Sequence, residues 1–319
     1  MSKFLYILST SHSGSTLLDL LAGTIPGVFS TGEFTYFSWQ IYRNGGMCPL
    51  GQDRCTCGAK FSDCKVWGPV VQSLSQEKGF DIFNSPFSFK TATFKNPEYG
   101  KSTTGMERIV AACYNRLMPL KATRPATSVL GAFAKESVLN SWMIADTLEK
   151  IKSIKYVVDS SKSITRWHLL HSYRPFDTYP IVLMRDLRGV ASLKKKKKKD
   201  PIKAAREWMI YYQNAYYTIR NSHNVSPLFV HYEDLCNRPL LTRNRIARQI
   251  GAETSSTLPE IDNRNHHLIA GNPMRYKGPL TIRQDKTWKS SLSDAQLEEI
   301  KNLEKQTTSL KQMLEKICG

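Results

Sequence analysis

The sequence lacks any long apolar run. Its first apolar stretch, at residues 4–8, is far shorter than the roughly 18–20 residues that span a bilayer, and no later run reaches that length. The stretch also lacks the longer apolar region and small-residue cleavage site of a signal peptide. We therefore expect a cytoplasmic protein without a transmembrane segment. Its seven cysteines should then be reduced or metal-bound rather than paired in disulfides.

Acidic residues are also scarce. They number 27 against 45 lysines and arginines, which gives a formal net charge of +18. Six of the positive charges form one lysine run at 194–199, and without it the balance is still 39 − 27 = +12. A chain this basic favours anionic partners such as phosphate, sulfate, nucleic acid or an acidic membrane surface. The run itself is either a solvated stretch or a docking patch for an anionic glycan, peptide or lipid.

Short apolar stretches alternate with helical patterns along most of the chain. This alternation predicts an α/β fold, in which a parallel sheet is flanked by helices. The predicted strands cover residues 3–9, 154–158, 180–184 and 228–232. The predicted helices cover residues 16–23, 163–171, 187–192, 202–221, 243–250 and 293–316.

The alternation is lost between residues 35 and 152. Residues 43–68 are rich in glycine and cysteine, residues 80–100 are rich in phenylalanine, proline and asparagine, and a helical pattern follows at 106–120. We interpret residues 35–152 as an inserted cap of loops and helices that recognises a substrate. The whole chain, 1–319, is predicted to be a single domain.

The loop between the first strand and the first helix has the composition of an anion-binding loop. Small residues let the backbone approach an anion closely, hydroxyl groups add donors, and the helix dipole favours negative charge. A nucleotide kinase or ATPase loop reads G-x-x-x-x-G-K-[ST]. Here Gly14 is followed by Ser15 in place of the lysine, which disfavours ATP or GTP as the ligand.

Residues 10–16, Thr-Ser-His-Ser-Gly-Ser-Thr, resemble the 5′-phosphosulfate loop of sulfotransferases that use 3′-phosphoadenosine 5′-phosphosulfate (PAPS). In that family a basic residue precedes Ser-Gly-[ST]-[ST] at the start of a helix and contacts the bridging oxygen. His12 stands where the family has lysine or arginine, and an imidazole with a pKa of about 6.5 is only partly charged at pH 7. The resemblance implies a donor-binding loop of Ser11, His12, Ser13, Gly14, Ser15 and Thr16.

Residues 181–192 form a predicted strand that runs into a helix. Arg185 falls at the carboxyl end of the strand, where open α/β sheets bind ligands, and its guanidinium can hold a phosphate or form a salt bridge with a carboxylate. The stretch resembles the family's 3′-phosphate motif, R-[DN]-x-[RK]-x-x-x-x-S. Arg185 matches it, whereas Ser192 comes one residue before the usual serine position, which Leu193 occupies.

A late basic segment, at 271–278 and 285–288, resembles the loop that clamps the 3′-phosphate in this family through an Arg-Lys-Gly cluster. Tyr276 interrupts the cluster, so the resemblance assigns the role to Arg275, Lys277 and Gly278. The three motifs, in this order, imply a P-loop NTPase-like fold and a transferase that moves a sulfuryl group from PAPS to a hydroxyl or amine. This chemistry requires no catalytic metal.

Two further segments supply candidate catalytic residues. Glu33 lies in a Gly-Glu context that is similar to the one in family members that modify protein tyrosines, so we predict it to be the base. Lys162 follows the second predicted strand and is expected, with His12, to stabilise charge near the sulfur. Asp159 is a second candidate base. Alternatively, Glu33 caps a helix or pairs with a surface lysine, and the serines beside Lys162 cap the next helix.

Cys48, Cys55, Cys57 and Cys64 form a C-x6-C-x-C-x6-C cluster. Four thiolates suit zinc, although the usual spacing of zinc ligands is C-x(2–4)-C. The cluster is therefore either a zinc site or four reduced cysteines within the cap.

Two other functions remain open from the sequence. One is an ATP- or GTP-dependent P-loop kinase, and the other is a basic nucleic-acid-binding protein. The second is disfavoured because the sequence has no helix-turn-helix, zinc-finger or aromatic RNA-binding pattern, so we expect no specific nucleic-acid partner. The expected acceptor is a small molecule, glycan, lipid or peptide.

Overall fold

The computed structural model describes residues 1–43, 54–94, 105–120 and 124–318. It contains a five-stranded parallel sheet in the order β2-β3-β1-β4-β5. The strands are β1 (Lys3–Leu8), β2 (Val28–Ser30), β3 (Tyr156–Asp159), β4 (Thr178–Met184) and β5 (Leu228–His231). The four predicted strands are confirmed within a few residues. The fifth, β2, has only three residues, which is too short to produce a recognisable pattern.

The central strand β1 is buried on both faces. Phe4, Tyr6 and Leu8 pack into one hydrophobic cluster, while Leu5 and Ile7 pack into a second cluster on the opposite face. Burial on both faces explains why this strand is a continuous apolar run rather than an alternating one.

Helices cover both faces of the sheet, as the sequence predicted. The buried apolar residues of α1 and α11 belong to one cluster, and most of those of α3, α6, α7, α8, α9 and α13 belong to the other. The helices are α1 (Ser15–Ala22), α2 (Phe37–Arg43), α3 (Trp67–Lys78), α4 (Gly105–Leu117), α5 (Arg124–Gly131), α6 (Lys135–Lys152), α7 (Ile164–Tyr173), α8 (Leu187–Lys196), α9 (Pro201–Asn221), α10 (Tyr232–Asn237), α11 (Pro239–Gln249), α12 (Trp288–Ser291) and α13 (Asp294–Ile317).

The described part of the 35–152 segment packs directly on the sheet. The rings of Trp142, on α6, and Phe4, on β1, lie with their centroids 4.7 Å apart. Arg166, on α7, is fully buried and donates hydrogen bonds to Thr91 O (2.6 Å) and Ser141 Oγ (3.0 Å). The segment therefore shares a core with the sheet. Within the described ranges, no helix has the length and apolar character needed to cross a bilayer.

Candidate active site

A cavity of about 550 Å³ lies at the carboxyl edge of the sheet. Its walls come from the segments that follow all five strands, β1 to β5, together with residues from the 271–285 segment. Because β1 lies between β3 and β4 in the sheet, the segments that leave these three strands converge around one point. Segments far apart in the sequence thus form one site.

The loop after β1 forms the floor of the cavity. Gly14 caps the N-terminus of α1 with φ of +89°. A Cβ atom there would lie only 2.5 Å from the Tyr232 ring, so glycine is required both by the backbone conformation and by the close packing. Ser13 is fully buried, and its hydroxyl hydrogen-bonds to Thr10 at 2.8 Å. Five of the six predicted loop residues line the cavity: Ser11, His12, Gly14, Ser15 and Thr16.

His12 faces a cationic environment. Burial, and then Lys197, Lys194 and Arg185, lower the pKa of its imidazole to about 4. The ring is therefore neutral at pH 7, whereas the lysine or arginine of the family's loop carries a charge there. A bound anion would offset the neighbouring cations and raise the pKa of His12.

Glu33 and Lys162 form an ion pair in the cavity wall. Lys162 Nζ lies 2.7 Å from Glu33 Oε1 and also donates to the carbonyl of Ser160 at 3.0 Å. The Glu33 backbone amide donates to Ala270 O at 3.1 Å. With His12, the structure thus brings the three predicted catalytic residues to one cavity.

Asp159, the second candidate base, lies away from the cavity lining. Its side chain is fully buried and pairs with Arg166, with Oδ2 2.8 Å from Nε. Its Oδ1 accepts the Ser161 amide at 2.8 Å. Asp159 therefore supports the turn that leads to Lys162. Of the two candidate bases, Glu33 is the one that lines the cavity.

Arg185 also lines the cavity, held by several contacts. Its Nη1 donates to the carbonyl of His12 at 3.0 Å, and its Nη2 lies 3.2 Å from Asp285 Oδ2. The guanidinium packs 4.3 Å from the centroid of the Tyr232 ring. Burial opposes ionisation of Asp285, but hydrogen bonds from Thr287 and Arg185 hold the pKa of its carboxyl below the usual value. Arg185 thus forms the salt bridge that the sequence left open, with Asp285 as its partner, and its guanidinium still lines the cavity.

The structure does not bring Ser192 to the cavity. Its side chain is fully buried, and its hydroxyl hydrogen-bonds to Ser291 Oγ at 2.8 Å. Leu193, at the usual serine position of the motif, lines the cavity instead.

The late segment reaches the cavity through residues other than the predicted ones. Arg275 is buried, its Nη2 donates to Tyr276 Oη at 2.7 Å, and it is absent from the cavity lining. Lys277 is exposed, and the carbonyl of Gly278 accepts the Asn263 amide. The lining residues of this segment are Gly271, Asn272, Pro273, Met274, Leu280, Thr281, Ile282, Arg283 and Asp285.

Two cationic residues of the lining were not singled out from the sequence. Lys197 belongs to the lysine run, and Arg283 lies between the two parts of the late motif. The run signalled positive charge but not which of its lysines faces a site, and nothing local distinguishes Arg283. With Lys162 and Arg185, they set four cationic side chains against the carboxylates of Glu33 and Asp285 in the cavity lining.

No protein-family model and no curated protein sequence matches the chain. Among solved structures, it is similar to the sulfotransferase domain from the curacin biosynthetic pathway, with a TM-score of 0.50 and 12% identity over 97% of this chain and 98% of that one. The chain has the fold of a sulfotransferase domain. The sulfotransferase domain of the Synechococcus PCC 7002 olefin synthase is also similar, with a TM-score of 0.46 and 19% identity over 96% of this chain and 95% of that one. The parallel sheet flanked by helices, together with the similarity to the curacin-pathway domain, confirms the fold implied by the loop motifs.

Proposed function

We propose that this protein transfers a sulfuryl group from PAPS to a hydroxyl or amine acceptor. One observation carries the proposal: a single cavity combines a phosphate-type loop, Arg185 and the Glu33–Lys162 pair. The sulfotransferase-domain fold supports it. The proposed acceptor is a small molecule, glycan, lipid or peptide.

The donor fits the loop and the cationic wall. The amides of the first turn of α1 have no partners within the helix and, with the hydroxyls of Ser15 and Thr16, can hold the 5′-phosphosulfate. Arg185 is the proposed ligand of the 3′-phosphate. Lys197 and Arg283 add positive charge around a donor that carries several negative charges.

The proposed reaction is an in-line displacement at sulfur. The acceptor oxygen or nitrogen forms a bond to sulfur while the bond from sulfur to the bridging phosphate oxygen breaks, which releases 3′-phosphoadenosine 5′-phosphate (PAP). Glu33 accepts the proton that the acceptor loses. Lys162 stabilises the charge that develops on the sulfuryl and leaving oxygens, and His12 donates a hydrogen bond beside them.

The same loop disfavours the kinase alternative. The lysine that grips the β- and γ-phosphates of ATP in a P-loop is replaced by Ser15. We therefore expect ATP to bind more weakly than PAP.

Calorimetric titration with PAP tests the proposal, with ATP and Mg²⁺ as the competing ligand. The Arg185→Ala variant should lose about 10- to 100-fold in PAP affinity, since charge-assisted hydrogen bonds to a phosphate are removed. Arg238→Ala is the matched control, because that side chain is exposed and pairs with Asp234 on α10. A wild-type protein that prefers ATP, or equal PAP affinity in both variants, would overturn the proposal.

A further inference from the structure

Three thiols and one imidazole converge outside the cavity. The ligand atoms of Cys55, Cys57, Cys64 and His267 all lie within 4.8 Å of one another. His267 Nδ1 is 3.4 Å from Cys55 Sγ and 3.3 Å from Cys64 Sγ, and the sulfurs of Cys57 and Cys64 are 3.9 Å apart. The three cysteines are free thiols.

These separations match a tetrahedral zinc site. Bonds of about 2.3 Å to sulfur and about 2.0–2.1 Å to nitrogen, at tetrahedral angles, place two sulfurs about 3.8 Å apart and a sulfur about 3.6 Å from a nitrogen. One ion therefore fits among all four groups with little movement. Three thiolates and one imidazole are also a ligand set that structural zinc sites use.

The surrounding contacts hold the ligands in place. A tight turn, in which the Gly58 amide donates to Cys55 O at 2.9 Å, sets the closely spaced Cys55 and Cys57. The Trp67 amide donates to Cys64 Sγ at 3.5 Å, and the Trp67 indole donates to the carbonyl of His267 at 2.7 Å. Donors to ligand sulfurs and contacts that orient the ligands are typical of metal sites.

Most of the cluster is buried. Cys55, Cys64 and His267 are buried and Cys57 is partly buried, and the Phe29 ring stacks on the His267 ring with 6.2 Å between centroids. Four protein ligands in an enclosed setting characterise structural zinc, whereas catalytic zinc keeps one position open. We therefore expect such an ion to be structural rather than catalytic.

We propose that Cys55, Cys57, Cys64 and His267 bind one structural zinc ion. This ligand set differs from the sequence hypothesis, since His267 replaces Cys48, which lies outside the described residues. The sequence could not suggest His267, because about 200 residues separate it from the cysteines in the chain.

The zinc fastens the 54–67 segment to a wall of the cavity. From His267 the chain runs along the site: the Ile269 amide donates to Thr31 O at 2.7 Å, and Ala270 O accepts the Glu33 amide. The Asn272 amide then donates to Thr16 Oγ1 at 3.2 Å. The ion thus holds the 267–272 stretch, which contacts the backbone of Glu33 and the donor loop.

The test is the metal content of the purified protein, measured by mass spectrometry of the elements. Wild type should carry about one zinc per chain, and Cys64→Ser and His267→Ala should lose most of it. Cys113→Ser is the matched control and should keep its zinc, because Cys113 is an exposed thiol on α4. Zinc retained in full by both ligand variants would place the ion elsewhere and overturn the proposal.

A cobalt titration covers the case in which the ligand variants do not fold. Metal-free wild type should take up about one Co²⁺ per chain and develop the absorption bands of tetrahedral thiolate coordination. Before cobalt is added, the metal-free protein should also unfold at a lower temperature than the zinc-loaded protein. A folded wild type that contains no zinc and develops no such bands would overturn the proposal. These readouts are independent of PAPS and of sulfuryl transfer.

Discussion

Glu33 is held in place by its backbone as much as by its charge. The preceding residue, Gly32, has φ of +75°, and a Cβ there would lie 2.0 Å from the carbonyl of Ala270. Its amide is held by Asp19 Oδ2 at 2.9 Å. The side chain of Glu33 is therefore directed to Lys162, and the pair stands where we propose that the acceptor loses its proton.

Glu33→Gln tests the proposed base. Glutamine keeps the shape and can still accept a hydrogen bond from Lys162, but it cannot take up a proton. We expect the rate of PAP formation from PAPS to fall roughly 10²- to 10⁴-fold, while PAP affinity stays equal or rises. Glu136→Gln, an exposed change on α6, is the control. A Glu33→Gln enzyme with the wild-type rate would remove Glu33 from the mechanism.

Asp19, on α1, is a buried carboxyl beneath the site. Its side chain is fully buried, and desolvation raises its pKa from 3.8 to about 7. Between these two values the unfolded chain releases the proton while the folded protein keeps it. The contribution of Asp19 to the free energy of unfolding therefore falls as pH rises through this window.

Asp19→Asn should remove this pH dependence. The side-chain oxygen of the asparagine can still accept the hydrogen bond from the Gly32 amide. The variant should gain stability relative to wild type as pH rises from about 4 to about 7, with no relative gain below that range. Thermal unfolding across this pH range measures it, with the exposed Asp294→Asn as the control. Stability curves of wild type and Asp19→Asn that run parallel would contradict the raised pKa.

At the scale of elements, the sequence predicted those strands, loops and helix starts that are formed by residues adjacent in the chain. The apolar run of β1, the small residues at 13–16 and the start of α1 are contiguous, so they predict a strand, an anion-binding loop and a helix together. Arg185 was predictable for the same reason, as it directly follows the last residue of β4. The loop, the start of α1 and Arg185 do line the cavity.

The sequence could not indicate the direction of a side chain where that direction depends on packing between distant segments. Successive residues on a helix are rotated by about 100°, so Ser192 points to Ser291 while Leu193 reaches the cavity. Arg275 lies within the short turn Pro273–Tyr276. Asn272 and Met274 of this segment line the cavity, whereas Arg275 is buried and donates to Tyr276 Oη. Resemblance to a motif located both segments but could not orient each side chain.

Lys197, an exposed residue of the lysine run near the end of α8, lines the cavity. Lys197→Ala should weaken PAP binding by roughly two- to fivefold at low salt, because one cation facing the donor is removed, and the effect should shrink as salt rises. Lys196→Ala is the matched control, since Lys196 is an exposed neighbour outside the cavity lining. Calorimetry at two salt concentrations measures both. Equal losses in the two variants would mean that only the net charge matters.

At the scale of the whole molecule, sheet order and charge act together. Placing β1 between β3 and β4 gathers the donor loop, Lys162 and Arg185 at one edge. Local sequence patterns do not reveal this order, because it depends on packing between strands that are distant in the chain. The overall charge of +18 attracts anions to the protein in general. The cationic side chains of the cavity lining make this cavity the expected binding site for an anion.

Transfer of ³⁵S from labelled PAPS tests sulfuryl transfer most directly. Wild type is incubated with the donor and a mixture of phenols, sugars, lipids, amines and peptides, and both PAP and labelled products are measured, with Glu33→Gln in parallel. We predict that wild type forms PAP and an equal amount of one labelled product class, and that the variant does so far more slowly. PAPS left intact by donor-saturated wild type, together with phosphate transfer from ATP to the same mixture, would contradict sulfuryl transfer and favour a kinase.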